Sequence, residues 1–279
     1  MGIVEWARSP WGQDIPIHVS FFLMWVFAIA ALVFLIAHAI YVKLYAKHEH
    51  ETIPADVLAK TPARIAKYSF AARAFHWVMA VAMFALLFTA FLPKVGIQFP
   101  WVTWHWIAGI VLTVSIIFHI IHASFYMDFW SIWPDRIDIE DAIRRWKRAT
   151  GGSAPEPRKF AKYPLENKGY HGIILLSGLA VTLTGLFMMK RVRTPFFVRN
   201  PYLFSDMTWG LMYVLHGLAG VGLIGLVMVH VYFAVRPEKL VQTKAMIFGS
   251  IPREHYLEHH DPARWAAEDA KSTGAVAGD

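Results

Sequence analysis

Apolar residues fall in five long blocks separated by polar stretches, rather than in the alternation expected of half-buried strands. The blocks cover about 18–42, 76–92, 102–126, 169–189 and 207–235. An α-helix needs about 20 apolar residues, and at the least about 17, to cross a hydrocarbon core. The pattern therefore predicts an all-α integral membrane protein of five spans. The first block is too long for a secretory signal and no small-residue cleavage site closes it, so it is read as a retained span. Between the third and fourth spans, Ile137 to Arg148 alternates apolar and charged residues at helical spacing. This predicts a short interfacial helix. The Gly- and Pro-rich run from Gly151 to Pro157 predicts a flexible turn, and the residues from about Ala267 read as disordered. The organisation expected is a terminus and first span over 1–43, a linker over 44–75, a four-span core over 76–235 and a tail over 236–279.

Composition agrees with this and narrows the chemistry. The chain is 56% hydrophobic and has 12 Trp and 10 Tyr, many near block edges, where an interfacial belt places them. It has no cysteine. Disulfides, cysteine-held iron–sulfur clusters, zinc-thiolate sites and covalent haem attachment are excluded within this chain. The net charge of +7 follows membrane topology rather than nucleic-acid binding. Lys and Arg crowd 43–75, 126–170 and the tail from Arg236, whereas the other side carries Arg8, Lys94, Lys190, Arg191, Arg193 and Arg199. The richer side is expected to be cytoplasmic, with the N-terminus outside and the C-terminus inside.

Histidine is costly in a bilayer core and needs a reason to be there. The fifth span carries His216 and His230. Fourteen residues give about 21 Å of rise and nearly four whole turns, so both imidazoles leave the helix on about the same face. Such a pair suits two stacked b-type haems, each needing a second imidazole at matching depth from another helix. His105, near the outer end of the third span, matches His216. His76, at the inner end of the second, matches His230. His119, 14 residues after His105, reaches the inner depth too and competes with His76. Gly109 and Gly220 each follow a candidate ligand by four residues, where a flat macrocycle lying against the helix needs clearance. His122 is turned off that line and could meet a haem propionate or the interface. His18 and His38 read as interfacial ends of the first span. His48, His50, His255, His259 and His260 fall on the inner side, and the last three read as a solvated tail or a metal site.

In order along the chain, Arg73-Ala-Phe-His76-Trp77, His105-x-x-x-Gly109, and His216-Gly-Leu-Ala-Gly220 through His230-Val-Tyr resemble the cytochrome b (gamma) subunit of respiratory formate dehydrogenases. So does the ending, Lys244-Ala-Met-Ile-Phe-Gly249 followed by His259-His260-Asp-Pro-Ala-Arg-Trp265. The resemblance covers about residues 64–266. Cytochrome b subunits of nickel–iron hydrogenases and of thiosulfate or polysulfide reductases share much of this design. The resemblance implies a di-haem four-helix bundle, here with one additional N-terminal transmembrane helix. It implies two haem b, one on His105 and His216 and one on His76 and His230, which leaves His119 without a ligand role. It implies a cytoplasmic-side quinone site, menaquinone or ubiquinone, entered at an Asn-x-Gly-Gln motif that here reads Asn167-Lys168-Gly169-Tyr170, with His171 next. Tyr170 stands where the family has glutamine. Partners implied are a periplasmic iron–sulfur subunit and a molybdopterin catalytic subunit that would carry the substrate site. The outer loops, above all Arg191–Asp206, and the segment Trp6–Asp14 are the docking surfaces expected. The added first span is expected to replace the membrane anchor that the iron–sulfur partner otherwise contributes. The place implied is the bacterial inner membrane. Other readings are a hydrogenase cytochrome, the subunit of a quinol-oxidising periplasmic reductase or, in another class, a haem-free anchor or transporter. The last would call for intramembrane carboxylates, yet the spans hold none beyond Asp206 at an edge.

Overall fold

The computed structural model describes residues 2–45 and 52–269. Five of its helices are long and apolar enough to cross a membrane. They are α1 (Phe22–Tyr45), α3 (Phe70–Phe91), α4 (Trp101–Tyr126), α6 (Leu165–Met188) and α7 (Asp206–Val235). Shorter helices are α2 (Ala55–Lys60), α5 (Arg136–Ala149), α8 (Leu240–Phe248) and α9 (Arg253–His259). Two antiparallel strand pairs were not expected: β1 (Val4–Arg8) with β2 (Asp14–Val19), and β3 (Arg64–Ala66) with β4 (Ser250–Pro252).

Proline, glycine and hydroxyl residues set the ends of these helices. Pro93, Pro100, Pro164 and Pro237 flank the long ones, where a missing N–H does least harm. Ser69 and Ser205 accept from the backbone N–H groups of Ala72 and Thr208, three residues on, and so satisfy first-turn donors. Gly249, at φ 87°, ends α8 in the left-handed region that favours glycine.

Three boundaries move from their expected places. The first span starts at Phe22, because residues 14–19 are held as a strand, and His18 therefore sits on β2. The second begins at Phe70, six residues before His76. Arg73 does not stop it, since its Nη1 donates to the carbonyl of Ile247. The fourth begins at Leu165 and takes a polar first turn into the helix.

The chain forms two compact units. The first comprises Met1–Ala46, Trp77–Ile117 and Ile174–Phe233. In it α1 lies on α7 through a cluster of Leu23, Met24 and Val221, and Gly225 meets Phe27 and Ala31. The hairpin of β1 and β2 rests on the start of α7. A Cβ at Gly210 would come within 1.9 Å of the Pro16 carbonyl oxygen, so only glycine admits this approach.

The second unit comprises Lys47–His76, Phe118–Ile173 and Ala234–Asp279. Its core gathers Ile65, Ala245, Ile251, Tyr256 and Leu257, with Trp265 and Tyr68 against them. The stretch expected as a linker thus folds on the tail. Of the end expected to be disordered, Glu268 and Asp269 are tied to β3, and 270–279 lie outside the described residues.

α5 is amphipathic in an unexpected sense. Asp135 and Asp138 form a reciprocal capping box at its start. Its buried face is the charged one. Asp138 (5% exposed) accepts from Lys168 at 2.6 Å and Arg264 at 2.9 Å, and Asp141 (1% exposed) from Arg158 at 3.0 Å. Ile139, Ile143 and Trp146 stand 48%, 49% and 67% exposed.

Candidate functional site

Two of the candidate histidines meet in the first unit. His105 on α4 and His216 on α7 have ring centroids 6.1 Å apart, with the planes turned 67°. Each is held from behind by a threonine on another helix. Thr89 of α3 lies 2.8 Å from His105 Nδ1, and Thr184 of α6 lies 3.0 Å from His216 Nδ1. Both hydroxyls also donate to backbone carbonyls one turn back, of Ala85 and Ala180. Four helices thus contribute one residue each, in the order Thr89, His105, His216, Thr184.

Glycine shapes the space around this group. A Cβ at Gly220 would meet nothing within 4 Å, and one at Gly109 only Leu86 Cδ2 at 4.0 Å, so the clearance expected beside both histidines is present. Gly185 lies nearer to the His216 ring. A Cβ there would stand 3.3 Å from His216 Cε1.

The remaining candidates divide between the units. His76 stands in the second turn of α3, in the second unit, and His230 near the end of α7, in the first. In the second unit His119 stacks on Phe75 at 4.3 Å and faces His171 across 6.3 Å. Asn167, Gly169, Tyr170 and His171 occupy the first two turns of α6. Lys168, inside that motif, turns inward to Asp138 and is buried, while Asn167 and Gly169 are exposed.

Several peripheral histidines have plain structural partners. His38 bonds Tyr232 at 3.1 Å and packs against Phe233. His122 stacks between Phe118 and Tyr126. His18 pairs with Glu5 at 3.6 Å. His48 and His50 lie outside the described residues. The solvated-tail reading of His260 is corrected, since it is 2% exposed, with Nδ1 donating to the Ala161 carbonyl. His255 meets Gln242. Among the described residues no group of three or more His, Cys, Asp or Glu stands close enough to hold a metal ion.

The family model for the prokaryotic cytochrome b561 family matches residues 67–249. The chain belongs to that family. No curated protein matches it. Family membership makes this a multi-pass membrane protein of haem b electron transfer, and the pair His105 and His216 fits such a group. A metal–imidazole bond is about 2 Å and a ring centre lies roughly 1 Å behind its nitrogen. An iron held between two imidazoles therefore puts their centroids about 6 Å apart, close to the 6.1 Å found.

Sequence reasoning missed Thr89, Thr184 and Gly185. None lies within one helical turn of its histidine in the sequence. The signal available was depth: Thr89 and His105 both stand within about one helical turn of the α3–α4 connection, on either side of it.

Proposed function

We propose that this chain is the membrane electron-transfer subunit of a respiratory oxidoreductase, holding two b haems between an iron–sulfur partner at one membrane face and quinone at the other. The observation that carries the reading is the facing pair His105 and His216, with its two threonines and the open space at Gly109 and Gly220. A bound b haem takes up and returns one electron. His105 and His216 hold the first. We assign the second to His76 and His230, a pairing supported by the resemblance to formate dehydrogenase gamma subunits.

The quinone site is assigned to Asn167, Gly169, Tyr170 and His171. Hydrogen-bond donors for quinone carbonyls and a group that can pass a proton are what such a site needs. Asn167 and Tyr170 supply donors, and His171 is the proton-carrying group. The pair Lys168–Asp138 fixes the helix start that presents them.

The partners proposed are a periplasmic iron–sulfur subunit and a molybdopterin subunit of formate dehydrogenase type, in the bacterial inner membrane with the tail in the cytoplasm. The basic stretches 43–75 and 126–170 support that orientation. α1, packed on α7, takes the place of a partner's membrane anchor. A pyridine haemochrome assay with a reduced-minus-oxidised spectrum tests the reading. Two b haems per chain are expected, and one after His216→Ala or His105→Ala. Retention of both haems in those variants would refute the pairing, and an absence of b-type bands would remove the function.

A further inference from the structure

We infer that Thr89 and Thr184 are positioning residues that fix the ring tautomer of His105 and His216 and set the electron-donating strength of both ligands. This rests on the reading that His105 and His216 hold a haem.

A threonine hydroxyl has one proton and two lone pairs. In each case the proton has a partner in the helix's own backbone: Thr89 donates to the Ala85 carbonyl at 2.7 Å, and Thr184 to that of Ala180. Mid-helix threonines commonly bond in this way. With the proton engaged, Oγ1 can only accept from the imidazole. Nδ1 must then carry the hydrogen, at 2.8 Å in His105 and 3.0 Å in His216. The lone pair is left on Nε2, the one nitrogen then able to bind metal. A tautomer in which Nδ1 lacks the hydrogen would leave two acceptors facing each other in an apolar span, which is costly.

The arrangement occurs twice, on different helix pairs: α3 supports the α4 ligand, and α6 supports the α7 ligand. Gly185 adds to the second by letting the His216 ring lie close against α6. A metal-binding histidine that donates its second N–H gains ligand basicity. A more basic ligand favours the oxidised metal, so each threonine lowers the midpoint potential of the group it supports.

The test uses the purified full chain with Thr89→Val, Thr184→Val and the two Thr→Ser variants. Valine keeps the shape and removes the acceptor, whereas serine keeps the hydroxyl. Potentiometric titration should show one haem moved to higher potential in each valine variant, further in the double variant, and restored by serine. The low-spin EPR signal of the same haem should move with it, and haem affinity should fall about ten- to a hundredfold. An unchanged potential and EPR signal in haem-loaded valine variants would overturn the inference. So would equal shifts in the valine and serine variants, which would mark a packing effect. Should the valine variants not assemble, nitrogen-15 histidine NMR of the wild-type chain decides. Hydrogen on Nδ1 of His105 and His216 is expected, and hydrogen on Nε2 in the haem-free protein would refute it. A His216→Ala chain that keeps both haems would instead sink the haem pair itself, separating that failure from this one.

Discussion

At the scale of single residues, the second unit depends on a few buried charges. Asp138 takes Lys168 from α6 and Arg264 from the tail while accepting from the Asp135 backbone N–H at the start of α5. Burial alone would push its carboxyl up, but the hydrogen bonds from Lys168 and Arg264 outweigh this and hold it below the usual carboxylate range. Removing one partner of a buried pair costs about 3–5 kcal/mol, because the other charge is left unpaired. Lys168→Met leaves Asp138 with Arg264 as its remaining cation, so the second unit is expected to loosen by less than that, seen as faster protease cleavage within 150–165. Unchanged cleavage would show that the pair contributes nothing. Lys168 also shows what one residue's neighbours in sequence conceal. In the string Asn167-Lys-Gly-Tyr-His171 every residue can be read as a ligand contact. The buried ion pair sets Lys168 apart, and its partner lies 30 positions away, where no local pattern could reveal it.

At the scale of elements, the long helices were legible and three of their five starts were not. A run of apolar residues marks a span whatever its neighbours do. Whether a flanking Arg73 or a polar Glu166-Asn167-Lys168 turn joins the helix depends on partners elsewhere, such as the Ile247 carbonyl. The hairpin of β1 and β2 was hidden for a related reason, since its seat is Gly210, far along the chain. Gly210→Ala would drive a Cβ into the Pro16 carbonyl. The hairpin is expected to detach, with rapid hydrogen exchange over 4–19 while the haem spectrum persists; unaltered protection there would contradict the seat. For α5 the sequence predicted an amphipathic interfacial helix, and the structure shows which face is free. Because the chain has no cysteine, single nitroxide labels can be placed cleanly. In lipid nanodiscs a label at 143 should collide with oxygen more than with a water-soluble nickel chelate, and one at 148 the reverse. Equal water access at both would place α5 away from the bilayer.

At the scale of the whole molecule, the second unit answers pH differently from an ordinary surface. Burial, and then the charge of Lys67, holds His260 down at about 3. Burial, His259 and Lys67 hold His255 at about 4. Both groups titrate near 6.5 when unfolded. Below that value the unfolded chain takes up protons that the folded unit refuses, so stability is lost as pH falls from 6.5 toward 4. Lys67, held at about 7 by burial and by Lys162 and Lys239, adds a second window, from about 10.5 down to 7, over which stability also falls as pH falls. Thermal unfolding at pH 7.5 and 5 should show the lower midpoint at 5, and His260→Asn should reduce the difference; a pH-independent midpoint would mean that these histidines charge freely in the folded unit. The tail motif that carried part of the family resemblance is explained here. Gly249 ends α8, Trp265 lies against His260 at 4.7 Å, and Arg264 reaches Asp138. The motif could be recognised, but its purpose could not, since each partner belongs to another segment.

The pairing of β3 with β4 has a consequence for the order in which the protein is made. β3 leaves the ribosome before four of the five spans, yet its partner follows the last of them. Ile65, fully buried in the finished unit, has no strand to meet until the chain beyond α7 has been made. The β3–β4 pair therefore cannot close until the chain has been made through the last span and on to β4.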